Sequence, residues 1–250
     1  MNNWLNPDNK FFSTISKAFD VLVLNTIWLL LCVPLPVLTV VWIAKTENFL
    51  FLILTVLALL PIVPATTALY YAIVKSIRRE RSYAIKEYFR SFIRNFKQGA
   101  IYSFIAIILI FVLYIDFQYA LSLMQAQESS GSIYLGAFIV ISLLFTSMYV
   151  YICPVLSRFE MKTSGILKTA FVMAARHLLT TVVLLVLLVG VLLGCYILLP
   201  GMFFLPAVAT LLASFLIENV FKKYMPEKEE PELDAAGEEI GQEKDEWYLE

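Results

Sequence analysis

The sequence predicts an all-α polytopic membrane protein, a bundle of six transmembrane helices with cytoplasmic amphipathic helices. Three observations lead there. First, 60% of the 250 residues are hydrophobic, only 16% are charged, and mean hydropathy is +0.78. Soluble domains run nearer half apolar and a quarter charged, so this chain has too little polar surface to cover a globule. Second, six apolar runs each have the roughly 20 residues with which a helix crosses a bilayer while satisfying its own backbone. Third, lysine and arginine crowd into alternate connections between the runs.

The first run, about 20–44, is too long for the apolar core of a secretory signal, and no small-x-small cleavage site follows. It reads as a span that stays in place, entered through Asp20, where a helix N-terminus favours an anion. "CVPLPV" (32–37) puts two prolines inside it. "PIVPATTAL" (61–69) does the same to the second run, about 49–75. Each proline removes a backbone hydrogen bond. Thr66 and Thr67 can re-satisfy freed carbonyls, and Asn25 can bridge helices. Two readings stay open. Transporters build midplane sites from paired broken helices, and prolines also bend helices simply to pack them.

The segment "EYFRSFIRNFK" (87–97) lies between the second run and the third, about 100–123. As a helix over 82–98, it puts Ile85, Tyr88, Phe89, Phe92, Ile93 and Phe96 on one face, and Lys86, Arg90, Arg94 and Lys97 on another. Ser82 would cap its start and Gly99 mark its end. Apolar on one face and basic on the other, such a helix lies in the headgroup layer, where anionic lipids contribute about 1 kcal/mol per basic residue. A docking surface for a partner protein is the other reading. Nucleic acid is disfavoured, because RNA-stacking aromatics would have to point outward together.

Asp116, in the third run, is the ionisable residue to watch. It reads as a proton or cation site, or as a hydrogen-bonded or snorkelling contact near the outer side. The fourth run is about 133–156. The amphipathic stretch 164–177, with Ile166, Leu167, Ala170, Phe171 and Ala174 at helical spacing, follows as a second cytoplasmic helix. The order of span, basic turn, cytoplasmic helix and span thus occurs twice, which suggests a loose internal duplication. The fifth and sixth runs, about 178–199 and 202–221, are separated only by "LPG" and should form a hairpin. Near the end of the sixth, Glu218 is expected to pair with Lys222 at i,i+4.

Eighteen of the nineteen basic residues fall on one side of this arrangement; the other side has only Lys45. Basic loops stay inside, so both termini are expected in the cytoplasm. Residues 1–225 form the membrane domain. Residues 226–250 hold eleven acids against two bases, and so carry −9. They read as a disordered or weakly helical cytoplasmic tail, and "DEWYLE" (245–250) closes it with two aromatics suited to clipping onto a basic surface.

No catalytic constellation is visible, and an enzyme is not expected. His177 is the single histidine, and Cys32, Cys153 and Cys195 are far apart in apolar runs, which argues against metal sites and His-based nucleophiles. No phosphate-cradling glycine loop is present. No cofactor is called for.

Three stretches together resemble the YesL-like family of bacterial integral membrane proteins, a domain of unknown function found mainly in Gram-positive bacteria. They are "LNTIWLLLCVPLPV" (24–37), "VPATTALYYAIVKSIRRERSYAIKEYFRSFIRNFKQG" (63–99) and "CPVLSRFEMKTSGILKTAFVMAARHL" (153–178). Genes for such proteins often lie beside those for carbohydrate importers of the ATP-binding-cassette (ABC) type and for glycoside-degrading enzymes. The resemblance therefore implies an accessory or assembly role in oligosaccharide import, with permease subunits or their ATPase as partners and the helix at 82–98 as the contact. It brings no catalytic residue. A stand-alone small transporter or channel is the alternative.

Overall fold

The computed structural model describes residues 10–46, 48–78, 83–126 and 130–224, with side chains from residue 15 onward. Every regular element among them is helical. In chain order they are α1 (Lys10–Cys32), α2 (Pro34–Thr46), α3 (Phe49–Leu59), α4 (Ile62–Ala72), a π-helix (Ile73–Arg78), α5 (Ala84–Gln125), α6 (Gly131–Arg158), α7 (Thr163–Arg176), α8 (Leu178–Ile197), a 3-10 turn (Leu199–Phe203) and α9 (Leu205–Phe221). Ser82, expected as a cap, and the tail 226–250 lie outside the described residues.

Five continuous stretches are long and apolar enough to cross a membrane: Ile15–Thr46, Phe49–Arg78, Ala84–Gln125, Gly131–Arg158 and Leu178–Ile197. The sixth expected crossing, α9, has 17 residues, about 25 Å of helix, which is the short limit for a span. Large apolar side chains such as Leu38, Val41, Ile53, Ile110, Phe111, Ile139, Leu144, Val186 and Leu192 stand exposed on these helices. Hydrocarbon solvates such a surface and water does not, and the chain is a multi-pass membrane protein.

The prolines interrupt both early spans, each in its own way. At Val33 the ladder continues through the bend, with Val33 N–H on the Leu29 carbonyl at 3.0 Å and Val37 N–H on the Val33 carbonyl at 3.1 Å. At Leu60–Pro61 the helix breaks, and Leu60 N–H turns back to the Leu57 carbonyl at 3.3 Å. Beyond that break α4 is buried on nearly every side, from Val63 to Ala72. It is the central post of the bundle, packed on α1, α5, α6 and α9. One core cluster joins Tyr70, Tyr102, Tyr151, Ile152, Ile166, Met173, Ile217 and Phe221; the other joins Leu24, Ala68, Leu69, Ile73, Tyr88 and Ala207. Both surround α4 and the π-helix. On the far side of the Pro61 break, α2 and α3 pack as a hairpin, clasped by Trp42 stacked on Phe51 at 5.6 Å.

The amphipathic segment before span three is not a separate helix. It is the first third of α5, which runs unbroken for 42 residues, about 63 Å. Gly99, expected to end a helix, lies inside this one. A Cβ there would stand 2.9 Å from Pro64, so the missing side chain is what lets α5 close onto α4 at its proline. The helix expected at 164–177 is present as α7.

Candidate functional site: a buried charge cluster beside a basic stripe

Polar groups in the bundle are recruited first to the wounds that prolines leave. A helix start has orphan N–H donors, and both Pro61 before α4 and Pro206 in the first turn of α9 begin helices without a side-chain cap of their own. Neighbouring helices supply the acceptors. Ser103 of α5 takes the Val63 N–H at 3.1 Å. Asn25 of α1, fully buried, takes the Ala207 N–H at 2.9 Å and donates to the Met202 carbonyl at 2.8 Å. Thr66 donates to the Ile62 carbonyl at 2.8 Å and accepts from Trp28 Nε1 at 3.0 Å. Thr67 is buried beside the Cys153 thiol. Asn25 and Thr66 therefore fasten helices to one another, whereas the buried Thr67 hydroxyl has no hydrogen-bond partner among the described residues. Asp116 is elsewhere. It lines a half-open hollow of about 110 Å³ with Leu113, Tyr134, Ala137, Phe138 and Ile141, thirteen residues along α5 from Ser103 and about 20 Å away.

The charges gather where the π-helix, the start of α5 and the ends of α6 and α9 converge. Glu218 does not pair with Lys222. Its carboxylate accepts from Arg158 Nη2 at 2.9 Å and from the Tyr70 hydroxyl at 3.0 Å. Both charged side chains are at least 96% buried. Nearby, Lys75 meets Glu87 at 3.5 Å with both side chains 4% exposed. Arg78 donates to the Ser214 carbonyl at 2.7 Å and lies 4.3 Å from the centre of the Phe215 ring. Helix α9 is thus pinned to α4, α6 and the π-helix by charge-assisted contacts.

The π-helix explains how Lys75 gets there. Widening the backbone over Ile73–Arg78 changes the angle between successive side chains, and such bulges recur at functional sites. Lys75 turns inward to Glu87, whereas Arg78 reaches α9. Nothing in the periodicity announced this. The signal available was Lys75 at the very end of the apolar run, with Arg78 three residues on.

On α5 the expected aromatic face divides. Ala84, Glu87, Tyr88 and Ser91 are buried against the bundle, with Phe92, Asn95 and Gln98 half-buried beside them. Ile85, Phe89, Ile93 and Phe96 are exposed and form a stripe of their own. Lys86, Arg90, Arg94 and Lys97 line its flank, all exposed. Arg90 approaches Glu87 at 3.9 Å and Arg94 pairs with Glu160. The inward face mixes the aromatics Tyr88 and Phe92 with small or polar residues that meet other helix backbones and loops. Gln98 donates to the Met161 carbonyl at 3.0 Å and the Tyr102 hydroxyl to the Thr163 carbonyl at 2.7 Å.

At the other end of α7, His177 Nε2 lies 3.2 Å from the Tyr224 hydroxyl. Partial desolvation, then repulsion from Lys223 and Arg176, lowers the imidazole pKa below 6.5. Among the described residues, no three His, Cys, Asp or Glu side chains gather as a metal site.

No curated protein and no solved structure matches the chain. Residues 21–117, which run through both proline breaks, the π-helix and the basic stripe, match the family model described as "Protein of unknown function, DUF624", in keeping with the resemblance to the YesL-like membrane proteins.

Proposed function

We propose that this protein is a non-catalytic accessory or assembly subunit of a carbohydrate ABC-type import system in the bacterial plasma membrane, with six crossings and both termini in the cytoplasm. The observation that carries a docking role is the exposed stripe of α5. A continuous helix of about 63 Å is longer than a bilayer of about 40–45 Å including its headgroups. One of its ends therefore stands clear of hydrocarbon, and the end rich in Lys86, Arg90, Arg94 and Lys97 is the one that basic residues keep inside. Phe89 and Phe96 beside those cations make a surface suited to a partner's apolar, acidic groove. The class of partner comes from the family resemblance. The broken helices also fit an accessory role, since Asn25, Ser103 and Thr66 are engaged in repairing them.

Crosslinking in native membranes, followed by purification and identification of bound proteins, tests this. Permease subunits or their ATPase should be recovered, and recovery should fall at least about tenfold with Phe89→Ala and Arg90→Glu together, a loss on the scale of one interface hot spot. Recovery of the protein alone would sink the reading. The alternative, a stand-alone transporter, draws on the Asp116 hollow. It requires solute flux in liposomes that Asp116→Asn abolishes.

A further inference from the structure

We propose that the chain's own acidic tail, residues 226–250, docks on the basic and apolar stripe of α5. Three observations converge on this occupant. The first is charge. The tail carries eleven acids against two bases, and Lys86, Arg90, Arg94 and Lys97 are exposed in one row. The second is the apolar component. The tail closes with Trp247, Tyr248 and Leu249 set among acids, and the row of cations borders Ile85, Phe89, Ile93 and Phe96. An aromatic laid against an arginine or a phenylalanine satisfies both chemistries at once.

The third is reach. Tyr224 is held at the His177 end of α7, with their rings 5.8 Å apart. The other end of α7 is tied to α5 through the Met161 and Thr163 carbonyls. Fourteen helical residues separate the two ends, about 21 Å. The 21 residues from Tyr224 to Asp245 reach at most about 70 Å when fully extended, more than enough chain to bring the tail's end to the stripe. A tether able to span the gap makes the contact intramolecular and raises its effective concentration, which makes individually weak, exposed ion pairs productive together. The tail occupies the stripe from the same molecule, and a partner must displace it. That competition rests on the function proposed above; the intramolecular contact does not.

The test uses the full chain in membrane vesicles, with Ile93→Cys and Leu249→Cys joined by a water-soluble bis-maleimide. Mixed isotope-labelled and unlabelled protein distinguishes links within one copy from links between two. The expected result is a link within one copy, reduced about fivefold or more by 1 M salt, where the screening length is about 3 Å. Reversing Lys86, Arg90, Arg94 and Lys97 to Glu should reduce it similarly; the salt measurement needs no such variant to fold. Deleting 227–250 should speed labelling of Ile93→Cys. A link indifferent to salt, a link only between copies, or labelling unchanged by the deletion (a stripe covered by lipid or by nothing) would each overturn the proposal.

Discussion

Glu218 shows how far a residue's partner can lie from its neighbours in sequence. It is joined to Arg158 and Tyr70 across 60 and 148 positions, although Lys222 sits one turn away. Inside a bundle, the closer and drier cation wins, because the interaction is screened less. Removing one member strands the other. Glu218→Gln or Arg158→Met should each cost about 3–5 kcal/mol, read as reversible unfolding in detergent micelles. Arg158→Met with Glu218→Gln should cost much less than the sum, and simple additivity would show that the pair is not coupled. Asn25→Leu orphans the Ala207 N–H and the Met202 carbonyl, and should cost about 1–3 kcal/mol. Gly99→Ala forces α5 off Pro64 and should cost about 1–3 kcal/mol; a neutral result there would mean that the close approach is not tight.

At the scale of elements, α5 and the α7–α8 junction matter most. Helix α5 joins a span to its basic stripe without a break and packs along α4. Its exposed and buried faces both have helical spacing, which is why periodicity located the segment 82–98 but did not say which face turned inward. The junction of α7 and α8 is closed by Thr181, which donates toward the Ala174 and His177 carbonyls, each at 3.0 Å. Next to it, the lowered pKa of His177 gives a pH signature. A depressed folded pKa means that the unfolded chain binds the proton more readily below pH 6.5. The His177 contribution is therefore complete above about pH 6.5 and is lost as pH falls through the lower, folded value. Melting temperature should drop across that window, and His177→Gln should flatten this part of the profile. An unchanged slope in that variant would place the titration elsewhere.

At the scale of the whole molecule, the number of crossings decides whether the two termini share a side. Five spans put the termini on opposite sides, whereas six bring them together, and the difference is α9. The charge cluster collects the ends of α6 and α9 with the π-helix and the start of α5, and Lys45 lies at the opposite end of the α3–α4 stretch. Cysteines at Arg90 and Lys222 should both react only with reagents reaching the cytoplasm, and a cysteine at Lys45 only with external reagent. A cysteine at Lys222 labelled from outside would leave α9 uncrossed, and the proposed topology would fail.

By itself the sequence determined the all-helical membrane class and five of its apolar runs, because hydrocarbon demands long apolar helices, and it marked the tight turn at "LPG". It also located α7 within a residue at each end and placed the proline interruptions. Only the tertiary structure decided what the polar residues do. Asn25 and Ser103 cap helices that begin far away in the chain, Glu218 leaves its helical neighbour for Arg158, and Gly99 continues a helix it was expected to stop. The reason is physical: apolar periodicity is a local property of one helix, but a buried polar group is satisfied by whichever partner packing brings within about 3 Å.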